Sequence, residues 1–265
     1  MRFILPLLGL GLMAAPVSGW SDDGNLKTQL EVHDAAPAES ASNAYRILFI
    51  GDSITRHGTN DDLKKRLGWD HVAGMAASSR DKDYVHLLAA RIQKTMPDRT
   101  VEIYYSSQGK SKNAGRNPYK PGSAAALALT IDGSVAFKPS LVVIQLGEHE
   151  EAAKGETFLR ESYEKLVTSF DDWQPRPRVL FAGVWSPGDA VKGRDPYRSG
   201  WVGTVERVQR EVCAAHGIPF ASVREFALDP SCRGSGTSPG VKWHPNDKGH
   251  EGYARVLFAA FENRR

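Results

Sequence analysis

The chain has 265 residues, of which 41% are hydrophobic and 25% are charged, and its formal net charge is +3. This is the composition of an ordinary globular protein, and the length suggests one large α/β domain or two small ones. The net charge is too small to indicate a nucleic-acid partner or an anionic membrane surface.

The N-terminus has the features of a secretory signal. Arg2 provides the positive charge, residues 3–15 form an apolar core, and small residues follow at 17–19. The alternative is a membrane anchor, but the apolar run is shorter than the ~20 residues that span a bilayer, and Pro6 and Pro16 interrupt it. We therefore expect residues 1–19 to be cleaved and the protein to be secreted or periplasmic, without stable membrane insertion.

Residues 20–44 are rich in Asp, Ala, Ser, Pro and Glu and show little apolar periodicity. Such a composition is typical of a flexible lead-in. The domain boundaries that we predict are therefore a signal peptide over 1–19, a lead-in over 20–44 and one domain over 45–265.

The first predicted strand carries a candidate nucleophile at its end. Residues 47–50 are all apolar and stop at Gly51, which is typical of a strand buried on both faces of a parallel sheet. Asp52 and Ser53 follow at the carboxyl end of that strand, where catalytic groups collect in open α/β sheets. An ordinary turn is the alternative for these residues taken alone. A serine also needs a base to take its proton, and His244 is the candidate.

Further strands and helices alternate along the chain. The predicted strands are 101–105, 141–146, 179–182 and 218–223, and the predicted helices are 84–96, 158–170, 205–212 and 246–261, with a weak helix at 123–131. Ser79 is the expected N-cap of the first helix, and Asn246 or Asp247 that of the last. The alternation indicates a parallel α/β sandwich. With strand order 2-1-3-4-5, the first and third strands end side by side, so Ser53 lies next to residues 147–150.

The two cysteines, Cys213 and Cys232, could pair in an exported protein. The alternative is two unpaired thiols. We favour the bridge, which would fix the loop that precedes His244.

Taken together, the Gly51-Asp52-Ser53 and His244 segments resemble the SGNH/GDSL hydrolase superfamily of serine esterases. The resemblance covers roughly Tyr45 to the C-terminus. It implies a flavodoxin-like, three-layer α/β/α sandwich with a five-stranded parallel sheet. It also implies that Ser53 is acylated while His244 acts as the base.

The resemblance further implies an oxyanion hole. In the superfamily a glycine after the second strand supplies one N–H, and Gly109 is the better match here, with Gly115 a weaker one. The Ser53 N–H is a second donor. The third block usually reads Gly-x-Asn-Asp but here ends His149-Glu150, and His149 can donate through a ring N–H. The alternative is that His149 merely packs.

The last block of the superfamily usually reads Asp-x-x-His, whereas Val241 stands at the Asp position. The acid that usually orients the histidine is therefore absent from its place. Glu150 or Asp229 could substitute for it, or a Ser-His dyad could work with a backbone carbonyl on Nδ1.

Loops near the predicted active edge carry aromatic and polar residues that suit a sugar, whose faces are apolar and whose rim is hydroxyl. We expect Trp69, Asp70, Trp185 and Trp243 to bind substrate, although about half of the tryptophans should be buried, since Trp is usually highly buried. The predicted substrate is a short acyl ester on a carbohydrate, either a small molecule or a polysaccharide. The alternatives are a lysophospholipase or thioesterase, or a catalytically impaired glycan-binding relative.

We expect no cofactor. The other histidines have ordinary structural explanations, and the spacings His-Glu-x-x-His and Cys-x-x-Cys are absent from the sequence, so no metal site is predicted.

Overall fold

The computed structural model describes residues 28–29, 43–105, 124, 138–187, 195–198, 200–236 and 238–263. The described strands form a single parallel sheet with the order β1-β3-β2-β4-β5-β6. Their bounds are β1 Thr28–Gln29, β2 Tyr45–Gly51, β3 Val101–Tyr105, β4 Leu141–Gln145, β5 Arg178–Ala182 and β6 Phe220–Ala221. The five strands from β2 onward follow the predicted order 2-1-3-4-5. The prediction of a parallel α/β fold is therefore confirmed.

Two differences from the predicted strands lie at the sheet edges. Thr28 and Gln29 come from the segment expected to be a lead-in, yet they pair with β3. At the opposite edge, β6 spans only Phe220–Ala221 instead of the predicted 218–223. Residues 106–121, which include Gly109, lie outside the described residues, as does the predicted weak helix at 123–131 apart from Ala124.

The described helices lie between the strands or follow the last of them. They are α1 Asp61–Leu67, α2 Tyr84–Thr95, α3 Gly155–Thr168, α4 Trp201–Ala215, α5 Arg224–Leu228, α6 Pro239–Trp243 and α7 Asp247–Glu262. Helix α2 packs against α7, and α3 packs against α4. Because every residue of β3 and β4 is buried, the sheet is covered on both faces, as a parallel sheet requires.

The caps of two helices test the predicted boundaries. Helix α2 is capped by Asp83, whose side chain accepts the His86 N–H, so the prediction of Ser79 is wrong. Ser79 instead precedes a short 3₁₀ turn at Arg80–Lys82, which separates it from the helix. At α7, Asn246 accepts the Gly249 N–H over 3.1 Å and is the cap.

Both cysteines are buried and free, so the predicted disulfide is wrong. Cys213 lies in the core on α4, while the Cys232 thiol lies 3.6 Å from Asp229 Oδ2. Burial raises the pKa of the Cys213 thiol to about 12, which keeps it protonated.

Among the described residues, no helix combines the length and the apolar character needed to cross a bilayer.

The contact between α5 and α7 depends on a glycine. A Cβ at Gly252 would lie 2.5 Å from Cγ of the Phe226 ring, and a rigid ring cannot move aside cheaply. We expect Gly252→Ala to destabilise the protein by about 1–3 kcal/mol through overpacking, in spite of the better helix propensity of alanine. Urea denaturation midpoints measure this. Gly58→Ala is the control, since no atom lies within 4 Å of its added Cβ. A Gly252→Ala protein as stable as the wild type would contradict the packing argument.

Candidate active site

The turn after β2 presents Ser53 at the carboxyl edge of the sheet. The carbonyl of Asp52 accepts the N–H groups of Thr55 and Arg56 over 3.0 and 2.8 Å, which closes a tight turn around Ser53. The Ser53 carbonyl in turn accepts the Met75 N–H over 2.8 Å. The main chain on both sides of the serine is therefore fixed.

Only glycine fits at the start of this turn. A Cβ at Gly51 would lie 1.7 Å from the Thr55 hydroxyl oxygen. That hydroxyl donates to Gln145 Oε1 over 3.2 Å and lies 2.7 Å from the Tyr84 hydroxyl. The turn is thus tied to the end of β4 and to α2.

His244 lies directly against the serine. Its Nε2 is 2.7 Å from Ser53 Oγ, although the two residues are 191 positions apart in the sequence. Its Nδ1 is 2.6 Å from the carbonyl oxygen of Gly240. Because a carbonyl only accepts hydrogen bonds, Nδ1 carries the ring proton and Nε2 is the acceptor for the serine hydroxyl.

The end of α6 makes this carbonyl available. The His244 N–H donates to Val241 over 3.1 Å instead of to Gly240, so the last turn is tightened and this N–H leaves the Gly240 carbonyl unused. The imidazole satisfies that carbonyl instead. His244 thus receives its orientation from the helix that precedes it.

The environment keeps His244 neutral. The side chain is buried, with 8% of the residue exposed, and this burial lowers its pKa to about 4. The hydrogen bond to Gly240 and the charge of Asp52 act in the opposite direction but are weaker. A neutral imidazole with a free lone pair on Nε2 can accept a proton from Ser53.

The segment after β4 reaches the same edge. His149 Nε2 lies 2.9 Å from Asp52 Oδ2, within ion-pair distance but without hydrogen-bond geometry. Glu148 Oε1 accepts the Trp185 N–H over 2.7 Å and the Gln145 amide over 2.8 Å. The predicted juxtaposition of Ser53 with residues 147–150 is therefore present, since Asp52 immediately precedes the serine.

Neither predicted acid contacts His244. Glu150 Oε1 accepts the Ala124 N–H over 2.7 Å, and the Glu150 carbonyl accepts the Trp201 indole N–H. Asp229 accepts from Lys248 and Ser231, and the Lys248 contact above all holds the pKa of its carboxyl below the usual range. Of the two alternatives for the orienting group, the structure has the main-chain carbonyl of Gly240 on Nδ1, and neither acid lies there.

The predicted sugar-binding residues differ in exposure. Trp185 is fully buried, and its indole N–H donates to the Trp243 carbonyl over 2.8 Å. Trp69 is only 3% exposed and packs on the His71 ring at 4.1 Å. Neither ring offers a surface to a substrate, so these two predictions are wrong. Trp243 is partly exposed with its ring 5.1 Å from that of His244, and Asp70 is exposed beside His71.

The sequence allowed for a main-chain carbonyl on Nδ1 but did not identify Gly240 as its source, and the role of Glu148 was missed altogether. Gly240 contributes only a carbonyl, which every residue has, so no side-chain pattern could reveal it. Glu148 occupies the variable position of the Gly-x-Asn-Asp block. The burial of its carboxyl depends on its contact with Trp185, which the sequence does not show. No three His, Cys, Asp or Glu side chains cluster as metal ligands in the part of the chain that the structure describes.

The chain matches the model of the GDSL-like lipase/acylhydrolase family over residues 49–251, a segment that contains both Ser53 and His244. Because the match covers most of the sequence, the chain belongs to this family and is a hydrolase that acts on ester bonds. A comparison with curated proteins found no match.

Solved structures with the same fold are distant in sequence. The acetylxylan esterase Axe2 from Geobacillus stearothermophilus is 16% identical, with a TM-score of 0.53 over 82% of this chain and 93% of that one. A putative GDSL-like lipase from Parabacteroides merdae is 15% identical, with a TM-score of 0.54 over 90% and 98%. A two-domain esterase active on acetylated mannans is 18% identical, with a TM-score of 0.52 over 83% of this chain. The match spans only 48% of that esterase. At these identities the likeness shows the fold alone.

The state of His244 can be measured directly. We expect its ring to become protonated only as the pH falls through about 4, because burial lowers its pKa from the ordinary 6.5. NMR titration of the ring, assigned by comparison with His244→Gln, gives the midpoint, and the unfolded protein provides the ordinary value. A folded-state midpoint near 6.5 would show that the imidazole is not desolvated.

Proposed function

We propose that the protein is a serine esterase that removes short acyl groups, most simply O-acetyl, from a carbohydrate. The observation that carries the proposal is the chain of contacts from Ser53 Oγ to His244 Nε2 and from His244 Nδ1 to the Gly240 carbonyl, at 2.7 and 2.6 Å. These contacts support the proposal because acyl transfer by a serine needs a nucleophile, a base and a group that orients the base.

In the proposed reaction, Ser53 Oγ attacks the acyl carbon while its proton passes to His244 Nε2. The bond to the leaving alcohol then breaks, and the imidazolium returns the proton to the departing oxygen. Water then attacks the acyl carbon and gives a proton to His244, the bond from that carbon to Ser53 Oγ breaks, and the imidazolium returns the proton to Oγ as the acid leaves. The Gly240 carbonyl keeps Nδ1 protonated throughout, so Nε2 alone exchanges the proton.

The oxyanion donors that we propose are the Ser53 N–H, the Gly109 N–H and a ring N–H of His149. Gly109 lies outside the described residues. His149 directs Nε2 at Asp52, so its donor to the oxyanion would be Nδ1. Removing one such donor typically costs a factor of about 10²–10³ in turnover.

The carbohydrate part of the proposal has two supports. Esterases of the same fold act on acetylated mannans and acetylxylan, as their names state. In this chain, the partly exposed Trp243 ring lies against His244, where the face of a sugar could stack beside the reacting ester. We further propose that the signal over residues 1–19 exports the enzyme to extracellular or periplasmic polymers.

The dyad is tested with a fluorophosphonate probe and an aryl acetate. We expect Ser53→Ala to abolish both labelling and turnover, and His244→Ala to reduce both by several orders of magnitude, since the serine is weak without its base. Ser169→Ala and His216→Ala, which change the same residue types far from the site, are the controls. Wild-type activity in folded Ser53→Ala would end the serine-esterase proposal.

The acyl and glycan preferences are tested with a chain-length series of aryl esters and with acetylated xylan or mannan. We expect activity to fall from acetyl to octanoyl and acetate to be released from a glycan. Trp243→Ala should raise KM for the glycan about tenfold, because one stacking contact and its buried area are lost. The turnover of aryl acetate should stay close to that of the wild type. Activity that rises to octanoyl with no acetate released from glycans would favour a lysophospholipase or thioesterase.

A further inference from the structure

In the carboxyl group of Glu148, one oxygen acts as a hydrogen-bond acceptor, as a carbonyl oxygen would. Its Oε1 accepts two hydrogen bonds, from the Trp185 main chain and the Gln145 amide. Gln145 in turn accepts the Thr55 hydroxyl, and the Trp185 indole donates to the Trp243 carbonyl. Glu148 therefore lies between the turn that carries Ser53 and the segment that carries His244.

The second oxygen, Glu148 Oε2, is buried and has no hydrogen-bond partner among the described residues. Asp52 Oδ2 is in the same condition, apart from its ion-pair contact with His149. The two carboxyl groups follow adjacent strands whose ends are paired, Gly51 with Gln145. A buried carboxylate oxygen without a donor is costly, and two on neighbouring strand ends also repel each other.

A single proton on Glu148 removes the charge repulsion, and it gives Oε2 an O–H donor of the kind that Asp52 Oδ2 lacks. The electrostatics agree, since burial first and the charge of Asp52 second raise the pKa of Glu148 well above its usual value.

Among the residues that the structure describes, the charges that act most strongly on Glu148 are those of other acids, Asp52 and then Glu150. Glu150 on its own segment adds repulsion. His149 is adjacent in sequence and lies against Asp52. The remaining neighbours are neutral phenols on several elements: Tyr84 on α2, Tyr163 on α3, Tyr197, and Tyr253 on α7.

We propose that Glu148 is held as a neutral carboxylic acid whose Oε2 hydroxyl donates toward Asp52, so that it acts as a positioning residue for Ser53 and His149. Its role in the reaction rests on the proposed esterase function; its protonation state does not. An ionised Glu148 would repel the carboxylate of Asp52, which belongs to the turn that presents the serine. Neutral, it lets Asp52 keep the negative charge that faces His149.

The protonation state is tested by infrared difference spectroscopy at neutral pH. The difference between wild type and Glu148→Gln should contain the C=O stretch of a protonated carboxylic acid. The matched control is Asp229→Asn, which removes a carboxyl paired with Lys248 and should yield carboxylate stretches instead. Carboxylate stretches from Glu148 would overturn the proposal, whether or not the protein is an esterase.

The positioning role is tested by kinetics against pH. Glu148→Gln keeps both an acceptor and an uncharged donor, so it should retain close to wild-type kcat. It should also stay active to higher pH than the wild type, because it has no proton to lose. Glu148→Leu should lower kcat on the order of tenfold and leave KM little changed, because it removes one charge-assisted hydrogen bond.

Glu150→Gln, on the same loop but bonded to Ala124, should keep the alkaline behaviour of the wild type. A Glu148→Gln enzyme that is as slow as Glu148→Leu would refute the positioning role. Failure of the esterase proposal itself would show separately, as turnover unaffected by Ser53→Ala.

Discussion

The pairing of β2 with β4 places the whole site. The strands are parallel, and their register sets Gly51 opposite Gln145. The segments that follow the two strands therefore leave the sheet at the same edge and at the same level along the strands. The turn that carries Ser53 leaves from one strand and the segment with Glu148 and His149 from the other. The hydrogen bond from Thr55 to Gln145 fixes this relation after the strands end. The other contacts at the site depend on that register.

His244 illustrates what a neutral orienting group does. A carboxylate on Nδ1 would hold the ring and also stabilise its charged form, whereas the Gly240 carbonyl holds the ring and contributes only a dipole. Together with burial, this leaves the imidazole as a base that stays unprotonated at neutral pH. The acid that precedes the serine, Asp52, contacts His149 instead.

Much of the fold could be predicted because parallel strands are continuous apolar runs. Residues 47–50 are all apolar and residues 141–146 are apolar apart from Gln145, which is typical of strands buried on both faces, and the alternation with helices indicates the class. Helix α1 could not be predicted this way, since it has no buried residue and hence no apolar periodicity. It is defined by its ends, where Asn60 caps the first turn and Gly68 takes a left-handed conformation.

Residue type alone did not predict the surroundings of the site. Trp185 follows β5 in a loop, where an exposed ring is a natural expectation, yet the ring turns inward against Tyr253 and bonds the Trp243 carbonyl. Glu150 and Asp229 are acids near the right elements, but each is already held by other donors. The group that accepts the hydrogen bond from His244 Nδ1 is a main-chain carbonyl, and residue types do not reveal such a group.

That last feature has an evolutionary consequence. A carbonyl is present whatever side chain stands at position 240, so a point mutation there cannot delete the acceptor as it could delete an aspartate. Because position 241 does not orient the imidazole, it can hold a residue that serves packing alone, such as the buried Val241. Searches for relatives that demand an acid three residues before the histidine will pass over chains built in this way.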